Sequence, residues 1–564
     1  MTRLERSYVH GAATTPLIGD TIGAHLDRVA ALSPDADALV VRQQGIRWTY
    51  RQFRDEANKV AAGLIALGLK PGDRIGIWSQ NNAEWVLTQF ATAKAGLILV
   101  NINPAYRTHE LEYALNKAGC KALILASSFK SSDYIAMIRD VAPELDHAEP
   151  GRLDAHKVPS LRTVIRMGAD RTPGMLNFGD IAAAAREEHF ARLDELKDVL
   201  QFDDAINIQF TSGTTGNPKG ATLTHHNILN NGFFIGEAMR LTEHDRLCIP
   251  VPFYHCFGMV LGNLACVTHR ACMVIPGEGF EPEAVLTAVQ EERCTGLHGV
   301  PTMFIAVLNH PRFKEFDLST LRTGIMAGSP CPIEVMKRVA GEMNMREITI
   351  AYGMTETSPV SFQSSVDDPL EKRVATVGRI QPHLEVKIVD VEGRIVPVGT
   401  PGELLTRGYS VMREYWGDEE RTREAIDASR WMHTGDLAVL DEDGYCNIVG
   451  RIKDMVIRGG ENIYPREIEE FLYTHPKIAD VQVFGVPDER YGEQLCAWIN
   501  VQEGETLTEQ EVVEFCRDRI AHYKVPRHIR FVEAFPMTVT GKIQKFIMRQ
   551  KMIEELKLEI SRTA

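Results

Sequence analysis

Between residues 74 and 126, short apolar runs alternate with stretches of helical period. Arg74–Ser79 (RIGIWS) reads as a strand, Asn82–Ala95 as a helix and Leu97–Ile102 (LILVNI) as a second strand closed by Pro104. A helix over His109–Lys117 then leads into a strand at Ala122–Ala126. Strands alternating with helices predict parallel sheets with helical crossovers, an α/β architecture. The same rhythm returns at 272–276, 322–327 and 348–352. From about residue 380 the texture changes: LEVKIVD, GELLTRG and YCNIVG are short strands between Gly and Asp turns, predicting an antiparallel or barrel-like segment. After Gly450 comes a section of roughly a hundred residues with its own α+β rhythm, a plausible size for one compact domain. Its helices are predicted over Pro465–Thr474 and Glu509–His522. The chain is therefore expected to divide into a large N-terminal domain with several subdomains, residues 1–450, and a small C-terminal domain, residues 451–564.

A chain of 564 residues exceeds what one hydrophobic core serves, which agrees with that division. Its 44% apolar and 24% charged residues fit a globular protein. With 76 acidic against 62 basic residues, the net charge of -14 argues against a nucleic-acid-binding surface spread over the whole molecule. A local basic groove for phosphates remains compatible with it. The ten cysteines include no C-x-x-C pair, so neither a zinc site nor a redox pair is indicated, and buried reduced thiols are expected. The opening MTRLERSYVHGAATTPLIGD lacks the apolar stretch of a signal peptide, and Glu5 weakens a mitochondrial presequence. No apolar run is long enough to cross a bilayer, so a cytoplasmic protein is expected.

The strongest chemical signal is Thr211-Ser212-Gly213-Thr214-Thr215-Gly216-Asn217-Pro218-Lys219-Gly220, which follows the apolar run Ile206–Phe210. Its glycines let the backbone turn tightly and approach a ligand. Four hydroxyls, Lys219 and exposed N–H groups can together hold a polyphosphate. A polar surface turn is the plainer reading, but the hydroxyl density and the preceding buried strand weigh against it. A Walker A loop needs G-x-x-x-x-G-K-[ST], and here Pro218 precedes and Gly220 follows the lysine. The segment instead resembles the phosphate loop of the adenylate-forming (AMP-binding) superfamily, which includes acyl-CoA synthetases, peptide-synthetase adenylation domains and luciferases. Further motifs follow in order, so the resemblance covers nearly the whole chain. TSGTTGNPKGATLTHHNI, AGSPCP, RGGENIYP and GKIQKF are most similar to medium-chain acyl-CoA synthetases of the group called family member two and to their bacterial relatives.

Tyr352-Gly353-Met354-Thr355-Glu356-Thr357 follows the apolar run ITIA. An aromatic at a strand end can stack on a base, while a hydroxyl and a carboxylate suit phosphate and Mg²⁺. The resemblance implies that Tyr352 packs on adenine, Thr355 contacts the α-phosphate and Glu356 helps to hold the metal. An acidic side chain can accept hydrogen bonds from both ribose hydroxyls. By resemblance that residue is Asp436, in Thr434-Gly435-Asp436, and Arg451 joins it. Gly328-Ser329-Pro330 matches the segment on the adenine side, where many relatives have alanine in place of Ser329. Pro252–Gly258 is an aromatic cluster around His255; a histidine in such company is usually a satisfied core residue, and the resemblance gives it a gating role at the acyl pocket rather than that of a general base. Lys453 matches the hinge between the two domains, where many relatives have aspartate. Gly459 and Gly460 would lie along the pantetheine arm of CoA, and Lys542 would reach the substrate carboxylate and the α-phosphate.

These roles imply ligation in two steps. A carboxylate first attacks the α-phosphorus of ATP and releases pyrophosphate; the CoA thiol then attacks the acyl-adenylate and releases AMP. Lys542, Thr355 and Glu356 would serve the first step and the Gly459–Gly460 segment the second, with the small domain turning about Lys453 between them. ATP, Mg²⁺ and CoA are the expected cofactor and cosubstrates, and a carboxylic acid the remaining substrate. His255, Phe257, Gly258, Ala327 and Met354 are candidates for the acyl pocket, and Met259, Val300, Val360 and Phe362 extend the list. Medium-chain fatty acids are the expected substrates, with aryl or short branched acids as the alternative. A peptide-synthetase module, a luciferase-like oxidase and a nucleotide-binding protein without ligase activity are the competing classes. The last is disfavoured because Lys542, Glu356 and Asp436 are all present.

Overall fold

The computed structural model describes residues 4–211, 218–458, 461–488, 490–517, 519–538 and 541–558. Its central strands are buried on both faces, which is why they read as unbroken apolar runs. Arg74–Trp78, Ile98–Asn101 and Ala122–Leu125 pair in parallel, and Ala205–Thr211 joins beside Ile98–Asn101. They form the middle of an eight-stranded sheet that ends in the antiparallel strands Lys219–Thr224 and Glu414–Tyr415. The helix Ala83–Ala95 crosses between the first two strands; Asn82 caps it by accepting from the Trp85 N–H at 2.8 Å, and Gly96 ends it at φ 71°.

A second sheet of nine strands carries the parallel run Arg246–Cys248, Gly296–Gly299, Thr323–Ala327 and Glu347–Gly353. A third, antiparallel sheet of five strands contains Leu384–Val389, Gly402–Gly408, Met432–Leu440 and Cys446–Arg451. Its edge strand, Tyr8–His10, comes from the other end of the chain, and no local alternation announces it. Beyond residue 455 a smaller lobe is built on the long hairpin Ile478–Asp488 and Gly492–Val501, with its own core around Val481, Ile468 and Val512.

One expected helix is shorter than its pattern. The segment predicted as Glu509–His522 is helical only over Glu509–Cys516. Arg517 leaves the helix with extended backbone, and Ile520 and Tyr523 pack on the lobe's core. No helix among the described residues is long and apolar enough to cross a membrane.

Candidate active site

In an open α/β sheet the crevice at the carboxyl ends of the strands is where ligands gather. Here two such edges contribute. From the nine-stranded sheet, Val300 follows Gly296–Gly299, Gly328–Pro330 follow Thr323–Ala327, and Tyr352 ends the strand Glu347–Gly353. Ala327 pairs with Ala351, so Gly328 and Tyr352 leave neighbouring strands at the same level. From the eight-stranded sheet, Thr211 pairs with Lys219 at the mouth of the predicted phosphate loop. Ser212, Gly213, Thr214, Thr215, Gly216 and Asn217 lie outside the described residues, as do Gly459 and Gly460. The base of the loop is fixed on three sides: Tyr113 donates to the Pro218 carbonyl at 3.1 Å, Trp416 N–H to Gly220 at 2.7 Å, and Lys219 Nζ stands 4.8 Å from the centre of the Tyr415 ring.

Tyr352 and Asp436 are brought together. The tyrosine hydroxyl donates to Asp436 Oδ2 at 2.6 Å, and Arg451 Nε lies 3.4 Å from Oδ1. The carboxylate reaches this position through a bulge. Leu405 pairs with His433 and Glu403 with Leu437, so Thr434, Gly435 and Asp436 face a single partner residue. Gly435 takes φ 70°, and the Thr434 hydroxyl donates to the Leu404 carbonyl at 2.7 Å. Burial raises the pKa of Asp436, while Arg451 and the Tyr352 hydrogen bond oppose that shift.

Gly353 allows the turn after Tyr352. A methyl group on it would sit 1.7 Å from the Pro359 carbonyl oxygen. Gly353→Ala is expected to cost about 1–3 kcal/mol of stability, as overpacking against backbone does. It is also expected to raise the KM for ATP by displacing Tyr352. Thermal unfolding with and without ATP checks this, and an unchanged midpoint contradicts the close approach.

Glu356 is buried just beyond, and Tyr415 donates to its Oε1 at 2.8 Å. Cys256 lies against Gln209 and Thr355, and burial, then the charge of Glu356, pushes its thiol up to about 12. It is therefore an inert thiol within the site. His255 is neutral at physiological pH, because burial and the Lys542 charge hold its pKa at about 4. Its Nδ1 accepts from the Phe257 N–H at 3.2 Å, which leaves the ring proton on Nε2. Phe257 and Gly258 open a wholly buried π-helix, Phe257–Leu264. Buried His298, also held near 4 by desolvation, donates from Nε2 to the Leu261 carbonyl at 2.9 Å and ties that helix to the strand Gly296–Gly299. Ala327, Val300 and Phe257 meet around Gly328, where an added methyl would be 3.1 Å from Val300 and 4.0 Å from Phe257. Met354 packs at the edge of the same core.

The smaller lobe contributes Lys542. Gly541, at φ 76°, rests on the large domain, so that a methyl there would fall 2.9 Å from Val300 and 3.1 Å from Thr302. Lys545 anchors the turn by donating to Glu469 at 2.5 Å and to the Val483 carbonyl at 2.9 Å. Lys542 is reachable by solvent but stands in the cleft with protein around it. That desolvation, together with Arg451 and then Lys453, lowers its pKa, while Asp436 and Glu356 act to raise it. Lys453 is lowered by the same desolvation and by Arg451 and Lys219. Lys542, Arg451, Lys453 and Lys219 thus crowd a cleft together with Asp436, Glu356 and Asp454, inside a chain of net charge -14. A polyanion would relieve the mutual repulsion of the cations.

Among the described residues no group of three or more His, Cys, Asp or Glu side chains could hold a metal ion. Glu356 keeps one oxygen beyond its bond to Tyr415, which fits Mg²⁺ held by one carboxylate and by substrate phosphates. Tyr415, which braces Glu356 and faces Lys219, was not among the predicted site residues. It lies in a two-residue strand, Glu414–Tyr415, with no local motif to mark it.

Residues 26–416 match the AMP-binding enzyme family, and residues 467–542 match the AMP-binding enzyme C-terminal domain. The chain belongs to the AMP-binding enzyme family. It is 49% identical over 560 residues to the medium-chain acyl-CoA ligase ACSF2, mitochondrial, of Danio rerio, covering 98% of this chain and 92% of that protein. It is 51% identical over 546 residues to the Bacillus subtilis protein YngI, provisionally named an acyl-CoA synthetase, covering 97% of this chain and 99% of that one. The fold matches the crystal structure of the anthranilate CoA ligase AuaEII in complex with anthranoyl-AMP at a TM-score of 0.85 and 26% identity, over 96% of this chain and 99% of that chain.

Proposed function

We propose that this enzyme joins medium-chain fatty acids to CoA with ATP, through an acyl-adenylate, releasing pyrophosphate and then AMP. The observation that carries this reading is the placement of Lys542 by the small lobe in one cleft with Glu356, Asp436 and Arg451. A carboxylate and a thiol do not condense in water because hydroxide is a poor leaving group, and adenylation replaces it with AMP. As the acid attacks the α-phosphorus, charge grows on the phosphoryl oxygens, and fixed cations and hydroxyls there stabilise it. Lys542 and Thr355 serve that purpose, while the Thr211–Lys219 loop cradles the outgoing pyrophosphate. Tyr352, with Gly328, Ser329 and Pro330, holds the adenine, and Asp436 with Arg451 holds the ribose. Glu356 is the residue that would hold Mg²⁺, which when bound neutralises phosphate charge.

Lys453 sits in the single turn Ile452–Asp454, between the last strand of the antiparallel sheet and the first strand of the small lobe. We place the division of the chain there, after Gly450, with Lys453 as the hinge. A turn of the small lobe would withdraw Lys542 and bring Gly459 and Gly460 to the pantetheine arm of CoA. We read this docking of the small lobe as the orientation suited to the first step.

The acyl chain is assigned to the apolar wall of Phe257, Gly258, Ala327 and Met354, with His255 at its mouth. Support comes from Val300, which meets the lysine loop at Gly541 and lies with Phe257 around Gly328, and from the substrate in the name of the Danio rerio relative. A pyrophosphate-release assay over straight-chain acids from acetate to palmitate, with benzoate and cinnamate, tests it. Activity is expected to peak at middle lengths and to fall off gradually, since each buried methylene contributes only about 0.8 kcal/mol. Preference for the aryl acids would overturn the substrate while leaving the ligase chemistry. Ten free, buried cysteines suit a reducing compartment, and we place the enzyme in the cytoplasm, which cell fractionation tests.

A further inference from the structure

The orientation that puts Lys542 in the cleft needs something to hold it, and the two lobes meet a second time away from the nucleotide. The helix Ile333–Glu342 begins directly after the Gly328–Pro330 segment, and its N-cap, Pro332, offers no side-chain hydrogen bond. Such an end leaves backbone N–H groups unpaired and favours negative charge. The small lobe supplies it. Glu470, on the helix Pro465–Leu472, brings Oε2 to 3.5 Å from the Ile333 N–H, long for a hydrogen bond but close for a charge at a helix terminus. One turn earlier on the same face, Arg466 donates to the Ile448 carbonyl at 2.9 Å and stands 3.8 Å from Glu470. Both side chains therefore reach across to the large domain, one to a helix and one to the antiparallel sheet. Burial raises the pKa of Glu470, as expected for a carboxylate enclosed at this contact.

The contact is not a sealed core. A cavity of about 210 Å³ lies between the lobes there, lined by Ile333, Ala375, Asn447, Tyr464, Arg466 and Glu470. An incompletely filled interface suits a contact that must open and close within each turnover. The helix also ties the contact to the reacting end, because its Glu469 clamps Lys545 beside the Lys542 turn.

We propose that Arg466 and Glu470 are positioning residues that latch the small lobe in the orientation for adenylation. The inference rests on the ligase reading above. It acts on one half-reaction only, since a lobe that has turned away to form the thioester no longer makes these contacts. The Arg466 hydrogen bond and the Glu470 charge at a helix terminus contribute enough that Arg466→Ala and Glu470→Ala should each slow acid-dependent ATP–pyrophosphate exchange by about tenfold. Thioester formation from supplied octanoyl-adenylate and CoA should be unchanged or faster in the same preparations, which also shows that the variants fold. Glu470→Gln, which keeps the size and loses the charge, should show a smaller loss in the same direction. Equal loss in both half-reactions, or no loss in exchange, overturns the latch. If the unmodified enzyme performs neither half-reaction with any acid, the ligase reading fails and takes the latch with it.

Discussion

Lys542→Ala is expected to lower acid-dependent ATP–pyrophosphate exchange by about 10²–10³, the usual loss when one charge-stabilising contact to a transition state is removed. Thioester formation from supplied acyl-adenylate should be largely spared. The split follows from where the lysine stands: Gly541 rests on Val300 and Thr302, which puts Lys542 among Glu356, Asp436 and Arg451 only while the small lobe is docked this way. The same cleft sets a pH signature. Desolvation and the Arg451 charge lower the lysine's pKa, so its charged form is lost earlier on the alkaline side than for a lysine in water. Exchange should therefore fall as pH rises through that lowered pKa, while the second half-reaction lacks this limb. Stopped assays of each half-reaction across pH check both statements, and parallel loss in the two would remove Lys542 from its assigned role.

Glu356→Gln is the second large effect, a fall in kcat/KM for ATP of about 10². Glutamine keeps the acceptor that Tyr415 needs, so the 2.8 Å contact can persist and the fold should be undisturbed. What disappears is the negative charge that would help to hold Mg²⁺ in the site. The Mg²⁺ concentration for half-maximal exchange should rise in this variant. Titration of Mg²⁺ at fixed ATP separates that outcome from a simple loss of packing, which would leave the Mg²⁺ dependence where it was. Lys219→Ala removes a neighbouring charge from the same wall and serves as the comparison, with its Mg²⁺ dependence expected to stay near that of the unmodified enzyme.

The parallel sheets were legible because both of their faces are covered. Ile75, Ile77, Leu123 and Ile124 are fully buried and so appear in sequence as apolar runs between helices. Tyr8–His10 was not legible, since a three-residue edge strand carries no periodicity and its partner lies at Glu385–Lys387. Glu509–Cys516 was overextended in sequence because helical spacing continues past Arg517, where the backbone leaves the helix. Site residues divide similarly. Tyr352, Asp436 and Lys542 stand in motifs, so they could be named. That the bulge at Thr434–Asp436 aims a carboxylate at Tyr352, or that Tyr415 braces Glu356, depends on pairings between distant strands that no local pattern contains. Arg466 and Glu470 look in sequence like the solvated face of a helix, and only the docked lobe shows them reaching Ile448 and Ile333.

The central claim is ligation through an enzyme-held acyl-adenylate. The most direct measurement mixes the enzyme with octanoate and ATP in the presence of Mg²⁺ and absence of CoA, quenches with acid, and quantifies the adenylate before and after a CoA chase. The account predicts octanoyl-AMP and pyrophosphate up to one equivalent per enzyme, with the adenylate converted to octanoyl-CoA and AMP on the chase. Formation of ADP and phosphate instead, or of octanoyl-CoA with no adenylate that can be chased, would contradict it.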